Sequence, residues 1–187
     1  MTGEVVNSLE DTVTKPLPIT KVASGVVKYW PDMLIPIVIL YSPTLRLRYR
    51  AALACCCNQI NLACSRYVFD VPQEAPNKLA IEIENFGVEP PLGVVYVKDC
   101  PDRKVLDGTV QVYQDDKGVV NSAVVTLPRA EETPYLTLGV TMHELCHLLG
   151  LPHSDNPGSV MYTIARARPQ LLSDADADAL GNIYNNL

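Results

Sequence analysis

Three histidines and one glutamate stand together in the segment His143-Glu144-Leu145-Cys146-His147-Leu148-Leu149-Gly150-Leu151-Pro152-His153, and the 187-residue chain has no other histidine. On a helix, His143 and His147 lie one turn apart on one face, so two imidazole nitrogens can reach a single metal ion. Glu144 sits beside that clamp. Its carboxylate can reach a water on the metal without displacing it, take the water's proton and later pass it to a leaving amine. Gly150 lets the backbone leave the helix in a conformation that other residues resist, which swings His153 round as third ligand. Three neutral nitrogens and one water make an open tetrahedral site, and zinc is the metal that three imidazoles favour. At ordinary residue frequencies these positions coincide by chance on the order of once in 10⁵ chains of this size.

Such a site needs a helix beneath the first two histidines and a sheet to pack it on. Thr133-Pro134 opens a helix whose Leu138, Met142, Leu145 and Leu149 form an apolar stripe. Ahead of it, strands are expected at Leu34 to Leu40, Lys78 to Glu84 (alternating KLAIEIE), Gly93 to Lys98, Thr109 to Tyr113 and Val119 to Leu127. Glu89-Pro90-Pro91, Asp107-Gly108 and Lys117-Gly118 punctuate them, and the last two strands flank QDDKG as a hairpin. After the first strand, Ser42 as N-cap and Pro43 at the first helical position open a helix. It carries Leu45, Tyr49, Leu53 and Ile60 on one face and Arg46, Arg50 and Asn58 on another. A last helix begins at Ser173, with Asp176 at the capping-box position, and buries Leu180, Ile183, Tyr184 and Leu187. The expected class is α+β: a mixed, twisted sheet of about five strands with a crossing helix, an active-site helix and a C-terminal helix. Residues 1–27, with Pro16 and Pro18, read as an extended arm that packs on its own domain or a neighbouring subunit, and residues 28–187 as the domain.

Composition removes several functions. With 48% hydrophobic residues, 19% charged and a net charge of -6, the chain is one domain with a sizeable core. Its field repels nucleic acid and anionic membranes. The longest apolar run, Met33 to Tyr41, is broken by Pro36 and falls short of the roughly 20 residues that span a bilayer. The acidic start MTGEVVNSLEDT does not resemble a secretory signal, so an intracellular location or a place in a larger assembly is expected, with secretion requiring a leader removed from this sequence. Six cysteines, three of them consecutive at Cys55, Cys56 and Cys57, read as reduced core thiols. Cys64, Cys100 and Cys146 lack the paired spacing of a thiolate metal site. Calcium ligands are available at Asp99, Asp102, Asp115 and Asp116, but no EF-hand-like spacing joins them, and solvated turns are the expected role.

HELCHLLGLPH resembles the extended metzincin pattern H-E-x-x-H-x-x-G-x-x-H, and Ser159-Val160-Met161-Tyr162 resembles the Met-turn of those zinc peptidases. Ser154 after the third histidine and Tyr162 after Met161 are most similar to the matrixin branch. LLSDADADALGNIY is similar to the closing helix of matrixin catalytic domains, and Tyr29-Trp30-Pro31 to the segment that precedes their first strand. The resemblance implies zinc on His143, His147 and His153, Glu144 as general base and Met161 as the floor under the metal. Tyr162 and residues 163–170 would line the pocket for the residue that follows the scissile bond, and an extended peptide would pair with the strand Val119 to Leu127. Two positions depart from the family: Cys146 stands where matrixins generally have Gly, and Thr163 where they often have Pro. About 100° separates neighbouring helix positions, so Cys146 is expected to pack beside the metal and not ligate it. With no histidine to spare, a second, structural zinc is not expected. A thiol-based latency switch is unsupported, since the first cysteine is Cys55, whereas Glu10 or Asp11 on the arm could approach the metal. The function implied is a zinc-dependent endopeptidase that hydrolyses peptide bonds through zinc-activated water. The alternative is a structural or assembly component that keeps a metzincin domain as a binding module. Hydrolysis of a non-protein amide is a third reading.

Overall fold

A computed structural model of the chain describes residues 4–5, 30–102, 108–129, 134–163, 169 and 171–184. Its sheet has six strands: β1 (Glu4–Val5), β2 (Val38–Tyr41), β3 (Gln73–Glu74), β4 (Val94–Asp99), β5 (Thr109–Gln114) and β6 (Val120–Leu127). They lie in the order β1-β5-β6-β4-β2-β3. β2 is parallel to β3 and β4, and β4 to β6, while β5 is antiparallel to β6 and β1 to β5. Among the described residues the α-helices are α1 (Leu47–Ala63), α2 (Asn77–Phe86), α3 (Pro134–Leu148) and α4 (Asp174–Tyr184), and a short 3-10 helix covers Asp32–Leu34. The α+β class and the mixed sheet stand as expected, with two of the strands only two residues long. No helix among the described residues is long and apolar enough to cross a membrane.

Strand alternation sorts the side chains into two layers. Val95 and Val97 of β4, Val110 and Val112 of β5, and Ala123, Val125 and Leu127 of β6 face α1, α3 and α4. Tyr96, Tyr113 and Val124 point the other way and pack with Ala80 and Ile83 of α2. The first layer is much the larger. Each fully buried aliphatic side chain in it contributes about 1.5–3 kcal/mol relative to exposure. On α1, Tyr49, Leu53 and Ile60 are buried as the periodicity implied, together with Cys56 and Cys57. The hairpin forms as expected, with Gly118 in the left-handed region (φ 79°) and the Asp115 carboxylate accepting from the Lys117 and Val119 amides.

Three expectations need correction. Lys78 to Glu84 is not a strand but lies within α2. Over seven residues KLAIEIE satisfies a period of two, yet Ala80 and Ile83 also share a helical face, and Gly87 closes the helix as a left-handed C-cap (φ 65°) with its N–H on Glu82 O. The helix after β2 begins at Leu47, because Ser42 and Pro43 form a separate turn in which the Ser42 hydroxyl accepts from Thr44 N. Strand Val120–Leu127 cannot take a peptide along its edge, since β4 and β5 occupy both sides of it. The terminal strands are β1 and β3, and because β1 is only two residues long, the pairing recorded on the outer side of β5 is limited to Tyr113 and Gln114. The arm of residues 1–27 lies outside the described residues except Glu4–Val5, which pairs with Tyr113 and Gln114 at the outer edge of β5. Tyr29, Thr133, Leu187, Glu10 and Asp11 also lie outside them.

Four of the six thiols behave as core side chains. Cys56, Cys57, Cys64 and Cys146 are buried, Cys100 is intermediate and Cys55 is exposed, all of them unbridged. Burial pushes the Cys57 thiol up to about 12 and the Cys64 thiol up to about 11, and raises Cys56 and Cys146 well above the usual thiol range. A thiol with a raised pKa stays protonated and unreactive at pH 8. Titration of the native chain with a disulfide reagent at pH 8 should therefore give rapid reaction of Cys55, slower reaction of Cys100, and the four buried thiols only after unfolding. Rapid reaction of all six cysteines in the native state would contradict this packing.

Candidate metal centre

The site is built where α3 ends. Gly150, at φ 95°, adopts the left-handed conformation, the Leu151 N–H bonds to Cys146 O at 3.0 Å and the Gly150 N–H to His147 O at 2.9 Å. This pair of bonds is a Schellman closure, in which glycine avoids the Cβ penalty of positive φ. The last carbonyls of α3 are taken up by side chains from remote parts of the chain. Trp30 Nε1 donates to Leu148 O at 3.1 Å, and the Tyr184 hydroxyl donates to Leu149 O at 3.2 Å. Both aromatic residues are fully buried, so the helix end is locked to the N-terminal segment and to α4.

The closure turn also orients a ligand. His147 Nδ1 lies 2.8 Å from Leu151 O, and His143 Nδ1 lies 2.8 Å from Val160 O. A carbonyl only accepts, so each Nδ1 carries a proton and each neutral ring keeps its Nε2 lone pair for a metal. The three rings converge, with centroids 4.4 to 5.1 Å apart. One ring nitrogen from each of His143, His147 and His153 falls within 4.8 Å of the others, and Nε2 of His143 and His153 are 3.2 Å apart. Two nitrogens bound to one tetrahedral zinc at about 2.0–2.1 Å stand about 3.3 Å from each other, the separation at which the His143 and His153 nitrogens are held. Among the described residues these histidines are the one cluster of three or more His, Cys, Asp or Glu side chains that could hold a metal ion. Two of the four carboxylates considered for calcium have other engagements: Asp99 takes the Arg46 guanidinium at 3.2 Å, and Asp115 closes the hairpin.

A second loop fixes the His143 partner. Ser159-Val160-Met161 is buried beneath the site, Ser154 N–H bonds to Met161 O at 2.9 Å, and Met161 N–H bonds to Ser159 Oγ at 3.0 Å. Asp176 holds this turn from α4. Its carboxylate accepts from Ser159 Oγ at 2.5 Å, Val160 N at 3.0 Å, Ser173 N at 3.0 Å and Ser173 Oγ at 2.7 Å. Asp176 is thus the N3 residue of the expected capping box, with Ser173 Oγ accepting in return from Asp176 N at 3.2 Å. Sequence reasoning assigned it that cap and missed the link to the turn, which no local spacing signals.

The other expected residues are placed as follows. Glu144 is buried at 0% exposure, with its side chain against Gly108. Cys146 is buried on the core side of α3 among apolar neighbours, the packing role expected of it. Met161 is buried at 1% exposure in the turn that carries Val160. Tyr162 is half-buried, with its N–H on Ser159 O at 3.1 Å, and Thr163 is exposed. Of the expected pocket stretch, residues 164–168 and 170 lie outside the described residues.

Because the Asp176 carboxylate holds the Val160 segment, and Val160 O holds the His143 ring, loosening the first should weaken metal binding through the second. Asp176→Ala should lower zinc affinity about 10–100-fold in competition with a chromophoric chelator, together with a fall in Tm. Unchanged zinc affinity in a folded variant would break this chain of contacts.

Comparison with known proteins agrees with this geometry. A family model described as matrixin matches residues 92–185, from β4 through the metal centre and α4. No curated protein matches the chain. The matched half holds the three histidines, the turn at Met161 and the aspartate clamp, and the chain belongs to the matrixin family of metallopeptidases, whose members normally bind zinc.

Proposed function

We propose that the protein is a zinc-dependent endopeptidase that acts on an extended segment of a peptide or protein. The observation that carries this reading is the convergence of three imidazoles, two of them held in one tautomer by the carbonyls of Val160 and Leu151. His143, His147 and His153 would hold the ion through ring nitrogens. When bound there, zinc supplies a Lewis acid that brings the pKa of water from about 15.7 toward 7 and stabilises negative charge on a carbonyl oxygen. The chain's own residues do the rest. Glu144 accepts the proton of the attacking water and returns it to the departing amine, a two-way role suited to a carboxylate in an enclosed site. No serine or cysteine is needed as nucleophile, and the buried thiols with raised pKa are poor candidates for one.

The substrate would lie along β5. Among the described residues, pairing at the outer edge of that strand is confined to Tyr113 and Gln114, which leaves Thr109 to Val112 as an edge for main-chain hydrogen bonds. Edge addition of this kind supplies affinity with little sequence demand, and side-chain pockets then set preference. Tyr162 is our candidate for the wall of the pocket after the scissile bond, as the matrixin resemblance implies.

The roles separate by mutation. Glu144→Ala should retain one zinc per chain and lose at least about 10²-fold of its cleavage rate, the minimum expected for a proton-transfer group. His147→Ala should lose both metal and activity. Hydrolysis of an unstructured protein substrate, blocked by a hydroxamate chelator, together with metal analysis of each variant, checks this. Full activity in Glu144→Ala contradicts the base. A zinc-loaded wild-type chain that cleaves no peptide points to the binding-module alternative.

A further inference from the structure

Gly108 reads in the sequence as the second half of an Asp-Gly turn, but in the fold it touches the proposed base. A Cβ built on Gly108 would stand 2.5 Å from Cγ, 2.6 Å from Cδ and 2.8 Å from Oε1 of Glu144. Carbon atoms do not approach that closely without displacement, so a side chain at 108 must move either the glutamate or the strand. Neither has room. Glu144 is 0% exposed, and its helical neighbours Leu145 and Cys146 are equally buried. Thr109, the next residue after Gly108, is held in register opposite Thr126 of β6. Among the described residues, Gly87, Gly93, Gly118 and Gly150 are the glycines recorded in the left-handed region. What position 108 requires is space: the close approach of a backbone to a functional side chain.

We infer that Gly108 is a positioning residue for Glu144, whose bare Cα forms the wall against which the carboxylate is seated. The inference rests on Glu144 being the general base, and it adds a mechanical link. The wall is the residue immediately before β5, the strand proposed to pair with substrate. A peptide lying along Thr109 to Val112 is therefore placed relative to Glu144 by one continuous piece of chain. The base and the peptide backbone share a frame.

Variants of the full-length chain test this without requiring activity. Gly108→Ala should lower Tm by roughly 5 °C in the wild-type background, as overpacking does. It should do the same in Glu144→Gln, which keeps Cγ and Cδ, and have little effect in Glu144→Ala, which lacks the atoms struck. If Gly108→Ala alone does not fold, folding of the Gly108→Ala/Glu144→Ala double variant supports the inference and its failure to fold overturns it. In the otherwise wild-type enzyme, Gly108→Ala should lower kcat by about 100-fold, the scale of a 1 Å misplacement, with KM held within about twofold. Equal losses of Tm in all three backgrounds, or an unchanged kcat, would overturn the inference. A wild-type chain that cleaves nothing while the background-dependent Tm pattern holds would confirm the seating of Glu144 and remove the peptidase reading alone.

Discussion

Two hydrogen bonds from imidazole to backbone carbonyl carry the site. His143 Nδ1 to Val160 O and His147 Nδ1 to Leu151 O, each 2.8 Å, fix which nitrogen bears the proton and which presents a lone pair. Histidines one helical turn apart are common enough. Histidines whose outer nitrogens are both anchored are not free to rotate, and they present a fixed donor geometry to an ion. The carbonyls must in turn be held still, and Trp30, Tyr184 and Asp176 hold the segments that carry them.

Leu151 O is delivered by the Schellman closure of α3, which Trp30 and Tyr184 brace from outside the helix. Val160 O is delivered by a turn that the Asp176 carboxylate grips from α4. The site therefore depends on residues from position 30 to position 184, although its three histidines span only His143 to His153. A buried carboxylate with four hydrogen-bond donors is a satisfied polar network, and such networks rigidify a core when every member is paired. Stability and function here draw on the same bonds, so damage to the C-terminal helix should reach the metal centre before it reaches the sheet.

The parts legible in the sequence are those encoded locally. The ligand spacing, the helix exit at Gly150, the capping box at Ser173 and the hairpin around Asp115 all fall within a dozen residues, and each follows from one turn of helix or one tight turn. What escaped was order in space. Periodicity recognised β5 and β6 as strands but could not tell edge from centre, because pairing partners are set by the topology of the whole sheet. KLAIEIE was ambiguous over its short length, and Gly87, with Lys, Leu and Glu as ready helix formers, was the signal that favoured a helix. The grip of Asp176 on the turn at Val160 and the contact of Gly108 with Glu144 are long-range encounters that no spacing announces.

The most direct test of the account is X-ray absorption at the zinc edge of the metal-loaded chain. Three imidazole nitrogens at about 2.0–2.1 Å and one oxygen at a similar distance are expected, with no sulfur in the shell. A zinc–sulfur distance near 2.3 Å, which would bring in Cys146 or another thiol, or a shell with fewer than three imidazoles, would contradict it.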